Sequence, residues 1–293
     1  MYAGPLGHTG LTVSAIGIGC SRLGSTLGQF RGALAERLLH HALDTGVTLF
    51  DTADIYGQGD SERLLGAALR GRRDRVVIIS KAGQRFTPAQ RLASLAKRPL
   101  AMAARHVAPL ADLIAARRAG PPPPPDISPA HLRTALDGSL RRLGTDRLDI
   151  FLLHSPPARA LDAAAATVAL LQAERAAGRV LAWGVSCDDA ASLAAALRLP
   201  GLGVVQVPLA LAQEETGRGL LAMAAARGTG LLFRELAATA AGGLGDPAGR
   251  RLALAAALDW PGSAAIIGTT RPEHLDALHA ALPVARLREA VAA

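Results

Sequence analysis

Residues 47–57 read Val-Thr-Leu-Phe-Asp-Thr-Ala-Asp-Ile-Tyr-Gly, an apolar stretch that stops abruptly at ionisable side chains. An apolar run this short is strand-sized. A strand that buries its length and presents chemistry at its end suits a closed parallel α/β barrel, whose active-site groups come from the carboxyl ends of strands and the loops after them. Comparable runs precede helical stretches at Ser14–Gly19, Val47–Phe50, Arg75–Ser80, Leu148–Leu153, Val180–Val185, Gly203–Val207, Gly230–Phe233 and Ala264–Ile267. Eight strand-helix units in 293 residues predict an α/β fold of the (β/α)8 TIM-barrel type. Alternation alone also permits an open doubly wound sheet, but the first strand lacks the G-x-G-x-x-G turn that would mark one.

The helices carry their own punctuation. Leu34, Leu38, Leu39, Ala42 and Leu43 form a helical stripe ending before Gly46, a left-handed cap position. Ser61 is a candidate cap for a helix bearing Leu64, Leu65, Ala68 and Leu69. Ser128-Pro129 opens another, with Leu132, Leu136, Leu140 and Leu143 along one face up to Gly144. Leu6-Gly7 and Gly10–Thr12 predict a short β-hairpin ahead of the first barrel strand. The rhythm breaks at about 86–126, an inserted basic segment after strand three that ends in the run Pro121–Pro125. One or two basic amphipathic helices are expected between Pro88 and Gly120, as a solvated cap, a substrate lid or a partner surface. Otherwise residues 1–293 read as a single barrel domain.

Composition narrows the class. No apolar run is long enough to span a bilayer, and the start lacks the basic and apolar regions of a secretory signal, so a cytoplasmic location is expected. Cys20 and Cys187 stand far apart without metal-ligand spacing, which argues against a disulfide or a metal site. A net charge of +8 invites an anionic partner. Nucleic acid is disfavoured because aromatic residues make up 3% of the chain, too few for stacking platforms, and the arginines are scattered. Oligomeric state is not legible.

Four ionisable groups fall at predicted strand ends: Asp51 and Tyr56 after strand two, Lys81 after strand three and His154 after strand four. Singly, each has an ordinary structural explanation as a hydrogen-bonding group. Together they suit carbonyl reduction, because hydride arrival creates an alkoxide that needs a proton. Tyr56 would supply it, Lys81 would lower the phenol's pKa from about 10, Asp51 would keep Lys81 charged, and His154 would orient the substrate oxygen. Alcohol oxidation uses the same groups in reverse.

The sequence resembles the aldo-keto reductase superfamily over nearly its whole length. The resemblance lies in Leu6-Gly-His-Thr-Gly-Leu-Thr-Val-Ser-Ala-Ile-Gly-Ile-Gly-Cys20, in Phe50-Asp-Thr-Ala-Asp-Ile-Tyr-Gly57 with Ser61-Glu62, and in Asp126-Ile-Ser-Pro-Ala-His-Leu132. It continues through Ser139-Leu140, Arg142-Leu-Gly-Thr-Asp146, Gly184-Val-Ser186, Val205-Gln206 and Ile267-Gly-Thr-Thr-Arg-Pro-Glu-His-Leu275. It implies that Asp51, Tyr56, Lys81 and His154 are the catalytic tetrad, with NADP(H), or less often NAD(H), across the carboxyl face. It further implies that Ser186 and Gln206 bind the nicotinamide carboxamide and that Arg234 stacks on its ring. Gly268, Thr269, Thr270, Arg271 and His274 match the loop and helix start that take the adenosine phosphate. The sequence departs from the family pattern at Cys187, where asparagine is common, at His274, where some members have arginine, and at Ala277-Leu278, where a Glu-Asn pair is common.

The expected substrate is a small carbonyl compound or alcohol, turned over with NADP or possibly NAD. The other readings are an NAD-dependent sugar or alcohol dehydrogenase and a cofactor-sensing regulatory subunit with little turnover. His40, His41 and His106 read as bland surface or segment residues, Trp183 and Trp260 as packing groups, and Asp54 as a loop-positioning residue bonded to local backbone.

Overall fold

The structure, a computed structural model, describes residues 2–23, 32–85, 125–240 and 243–282. The helices expected between Pro88 and Gly120, with His106 and most of the proline run, lie outside the described residues. The antiparallel hairpin is present, β1 (Ala3–Pro5) pairing with β2 (Thr12–Ser14). The barrel strands are β3 (Ile16–Gly19), β4 (Leu49–Asp51), β5 (Val77–Ala82), β6 (Leu148–His154), β7 (Val180–Ser186), β8 (Val204–Pro208), β9 (Gly230–Arg234) and β10 (Ser263–Ile267). All are parallel, and β10 returns to pair with β3, so the sheet closes. The open-sheet alternative is thereby excluded.

Helices interleave as expected for right-handed crossovers: α1 (Ala33–Asp44), α2 (Asp60–Ala68), α3 (Pro129–Leu143), α4 (Ala158–Asp162), α5 (Ala165–Ala176), α6 (Ala190–Ala196), α7 (Glu215–Ala226), α8 (Leu236–Thr239), α9 (Pro247–Leu258) and α10 (Pro272–Ala280). In α1, Leu38, Leu39 and Ala42 are buried and Gly46 is left-handed at φ 84°, as the stripe predicts. Leu34 is 46% exposed, at the edge of that stripe. Ser128 caps α3, its Oγ accepting from the His131 N–H, and Gly144 closes the helix at φ 68°. Ser61 does not cap α2. Gly59, at φ 85°, turns the chain straight into the helix, so Ser61 falls on the inner face, where its hydroxyl donates to the Cys20 carbonyl at 2.8 Å.

The core has two layers. One lies between the sheet and the helices and holds Phe50, Ile78, Phe151 and Trp183. Trp260 is partly buried and packs beside Phe233, 6.4 Å between ring centroids. The other fills the barrel and includes Leu49, Val77, Ile79, Ile150, Leu152, Val204 and Leu232. Successive strand side chains alternate faces, so counting on by two from this inner layer predicts what tops it: Asp51 above Leu49, Lys81 above Ile79, His154 above Leu152, Gln206 above Val204 and Arg234 above Leu232. At the opposite end Leu6 joins the inner layer, and the His8 N–H donates to the Gly228 carbonyl at 2.6 Å, so the hairpin closes the amino end of the barrel.

Candidate active site

The barrel register brings the four sequence-predicted residues to one mouth. β6, β7 and β8 run in register with His154 opposite Ser186 and Ser186 opposite Gln206, which makes one polar rung across three strands. Lys81 is 1% exposed, and its ammonium lies 2.6 Å from Asp51 Oδ1, 3.0 Å from the Thr52 carbonyl and 3.4 Å from the Tyr56 hydroxyl. It also sits 5.0 Å from the centre of the Tyr56 ring. The His154 ring meets Tyr56 edge to face, with centroids 5.7 Å apart and planes at 85°.

Burial dominates the electrostatics. It pulls the Lys81 ammonium down, but the Asp51 carboxylate and the Tyr56 hydroxyl outweigh it and leave the pKa raised, so Lys81 is a fixed cation. Burial pushes the Tyr56 phenol up, and the Lys81 charge offsets only part of that rise. This corrects the sequence expectation of a phenol pulled below its ordinary value: enclosing a phenolate costs more here than the ammonium returns. Burial, helped by the Lys81 and Arg234 charges, holds His154 down to about 3. It is therefore a neutral imidazole with one N–H to donate, and its Nδ1 has no protein partner.

Next to the tetrad is a ready amide partner. Ser186 Oγ donates to Gln206 Oε1 at 3.1 Å, while the buried Gln206 Nε2 has no partner in the protein. An unmet buried donor is costly, and a carboxamide oxygen from a ligand would satisfy it. Arg234 forms ion pairs with Asp188 and Glu235 and donates to the Cys187 carbonyl at 3.1 Å, so its guanidinium is pinned at the rim. Ser155 Oγ donates to the same Asp188 carboxylate at 2.8 Å.

Across the mouth, Gly268, Thr269 and Thr270 lead from β10 into α10, which begins with Pro272. Thr269 Oγ1 accepts from the Arg271 N–H at 3.2 Å and lies 3.4 Å from His274 Nδ1, which shapes the turn. Arg271 and His274 are exposed, with Glu273 between them. Ala277 is partly buried, and Leu278 is buried in the core, not turned toward the mouth. Cys187 is likewise buried, its thiol pushed up to about 12 by desolvation, and it packs as a small apolar residue. The two cysteines are free, and no metal-binding cluster occurs among the described residues. The insertion leaves and re-enters beside β5, where Gln84 bridges Pro125 and the Asp126 N–H donates to the Gly83 carbonyl at 2.7 Å.

Sequence reading assigned no role to Glu62, Arg142, Ser155 or Asp188. Glu62 is completely buried, accepting from Ser80 Oγ at 2.7 Å and from Arg142 Nε at 2.5 Å. Its signals were the Ser61-Glu62 pair within the resemblance and a carboxylate on the inner face of a short amphipathic helix. Asp54 bonds the local backbone at Ile55, as expected, but its Oδ1 is enclosed without a partner.

The profile of the Aldo/keto reductase family matches residues 15–246. The chain belongs to the Aldo/keto reductase family. Among family relatives, a D-threo-aldose 1-dehydrogenase from a Pseudomonas species is 30% identical over 227 residues, 76% of this chain and 65% of that protein. A 6-dehydroglucose reductase from Novosphingobium aromaticivorans is 33% identical over 198 residues, 62% of this chain and 50% of that protein. The chain thus spans between half and two thirds of these curated relatives. A solved structure described as an aldo-keto reductase from Pseudomonas aeruginosa matches with a TM-score of 0.69 at 30% identity, covering 99% of this chain and 95% of that one. The aldo-keto reductase AKR11C1 from Bacillus halodurans shares the fold, with a TM-score of 0.72 at 21% identity. No helix among the described residues is long and apolar enough to cross a membrane.

Proposed function

We propose that this aldo-keto reductase is an NADP(H)-dependent oxidoreductase that interconverts a carbonyl group and an alcohol, with Tyr56 as the general acid and base. The reading rests on one observation: the buried Lys81 ammonium stands between the Asp51 carboxylate at 2.6 Å and the Tyr56 hydroxyl at 3.4 Å, at the carboxyl end of the barrel. The bound nicotinamide nucleotide supplies or accepts the hydride. Everything else falls to the protein. Tyr56 gives its proton to the reduced oxygen, or takes one from an alcohol in the reverse direction, and Lys81 stabilises the phenolate that results. Asp51 keeps Lys81 in place. Neutral His154 donates its N–H to the substrate oxygen without supplying a competing proton.

For the nucleotide, Ser186 and the unmatched Gln206 amide fit the nicotinamide carboxamide, and Arg234 is the rim residue that would hold the ring. Gly268, Thr269 and Thr270 offer backbone to the adenosine end, with exposed Arg271 and His274 as cations for a 2′-phosphate. Glu273 opposes that charge, and so keeps NAD(H) as the alternative cofactor. Relatives named for an aldose and for a dehydroglucose point the substrate search to sugars and small hydroxy-carbonyl compounds.

The test is nucleotide absorbance with a panel of aldehydes, ketones, aldoses and alcohols, using both nucleotides in both redox states. Turnover that Tyr56→Phe lowers by about two to four orders of magnitude, with nucleotide binding retained, is the expected result. Tight nucleotide binding with no turnover on the panel would overturn it in favour of a cofactor-sensing subunit.

A further inference from the structure

Tyr56 is carried on an improbable turn. Gly57, Gln58 and Gly59 follow it with φ of 56°, 58° and 85°, three left-handed residues in succession, and the middle one is not glycine. Such backbone persists only where surrounding contacts over-determine it. Part of that support comes from α3. Gly59 lies so close to Arg142 that a Cβ on it would meet Arg142 Cδ at 2.6 Å and Nε at 2.8 Å. The guanidinium is fixed in turn by Glu62 at 2.5 Å and by Ser139 Oγ at 3.3 Å. The other oxygen of Glu62 accepts from Ser80, the residue before Lys81 on β5. A continuous chain of contacts therefore runs from the strand of Lys81, through Glu62 and Arg142, to the turn that follows Tyr56.

We propose that Glu62 and Arg142 are positioning residues, which clamp the Gly57–Gly59 turn to β5 and so hold the Tyr56 phenol against the Lys81 ammonium. Neither touches the reacting atoms. Glu62 is suited to this because both of its oxygens are used and neither sees solvent. Arg142 is suited because its planar head satisfies Glu62 while its stem packs on Gly59. Asp54 adds a second carboxyl to the cluster, raised by its own burial and by the Glu62 charge and opposed by Arg142. The backbone N–H of Asp54 donates to the Lys81 carbonyl at 3.0 Å, so the loop starts out anchored to β5 as well. The clamp secures the far side of the same loop.

The inference deepens the role proposed for Tyr56, and its test needs neither substrate nor nucleotide. The chain has two tyrosines, Tyr2 and Tyr56, so in a Tyr2→Phe background tyrosinate absorbance after a pH jump reports Tyr56 alone. With the clamp intact, the phenol titrates above its ordinary value because it is buried. Glu62→Gln is expected to release the turn and bring that titration down toward about 10, the value of an unburied phenol. Lys81→Met, which leaves the clamp in place and removes the stabilising cation, is expected to move it the opposite way. Hydrogen exchange of the Ile55–Asp60 amides at neutral pH is expected to speed at least about tenfold in Glu62→Gln. Arg142→Lys, which keeps the charge but not the planar head, is expected to give a smaller shift in the same direction and decides the matter if Glu62→Gln does not fold. A Glu62→Gln or Arg142→Lys protein that is less stable overall, yet has unchanged Tyr56 titration and loop exchange, overturns the proposal and leaves the pair a mere packing element. Failure of the catalytic reading would show separately, as undiminished turnover in Tyr56→Phe.

Discussion

Replacing Lys81 by methionine separates the cost of a lone buried charge from the worth of an ion pair. Lys81 is 1% exposed and Asp51 5%, and the two charges lie 2.6 Å apart. Methionine fills much of the lysine stem but leaves the Asp51 carboxylate in a dry site with its counter-ion gone, and it also strips the Thr52 carbonyl of its donor. Breaking a buried pair from one side typically costs about 3–5 kcal/mol. In a chain of this size that lowers the melting temperature by roughly 6–15 °C. The double variant Asp51→Asn/Lys81→Met removes both charges, and should recover about half or more of that loss because no charge remains stranded. Urea unfolding of wild type, both single variants and the double variant, all without nucleotide, gives the coupling directly. Turnover should be lost in both proteins lacking Lys81, whatever their stability. A Lys81→Met protein within about 1 kcal/mol of wild type, or a double variant less stable than Lys81→Met, would refute the electrostatic account of this site.

Three further outcomes follow from buried groups and close packing. His154, held down to about 3, binds a proton less readily folded than unfolded, so it contributes stability above about 6.5 that is lost as pH falls toward 3; the urea midpoint of wild type should fall more steeply over that window than that of His154→Gln, and equal slopes would count against it. Asp54, raised to about 7 by burial and by the Glu62 charge, has the opposite sign: its contribution is present below about 4 and lost as pH rises through about 7. Asp54→Asn should therefore gain about 1–2 kcal/mol on wild type above pH 7 after allowance for its partial exposure, and close to nothing near pH 4, by the same unfolding measurement. Gly184→Ala would place a Cβ 1.9 Å from the Val204 carbonyl on the neighbouring strand, and should cost about 3 kcal/mol or more in urea unfolding, since backbone cannot step aside as a side chain can.

The barrel was legible because its code is local. Runs such as Ile150–Leu153 are apolar on both faces, as strands wedged between an inner filling and an outer ring of helices must be. The tetrad was legible for the same reason: Asp51, Lys81 and His154 each extend an apolar run by a step of two, which puts a polar group on top of the inner layer. Tyr56 was placed by resemblance and by its nearness to Asp51. What could not be read was any property set by residues distant in sequence. The 80-residue separation between Glu62 and Arg142 carries no pattern. The upward shift of Tyr56 depends on how completely the fold encloses the phenol, and composition does not report enclosure. Ser61 shows the limit of local rules, since a good capping residue was displaced by a glycine two positions earlier that turned the chain sooner.

The hairpin that closes the amino end of the barrel has a practical consequence. Because Leu6 and His8 plug the floor among the described residues, traffic to the site passes through the opposite rim, and Tyr2 lies on the face away from substrate. A linker spliced ahead of Tyr2 could anchor this protein to an electrode or bead with every mouth turned outward, so that immobilised and dissolved molecules should work at matching rates.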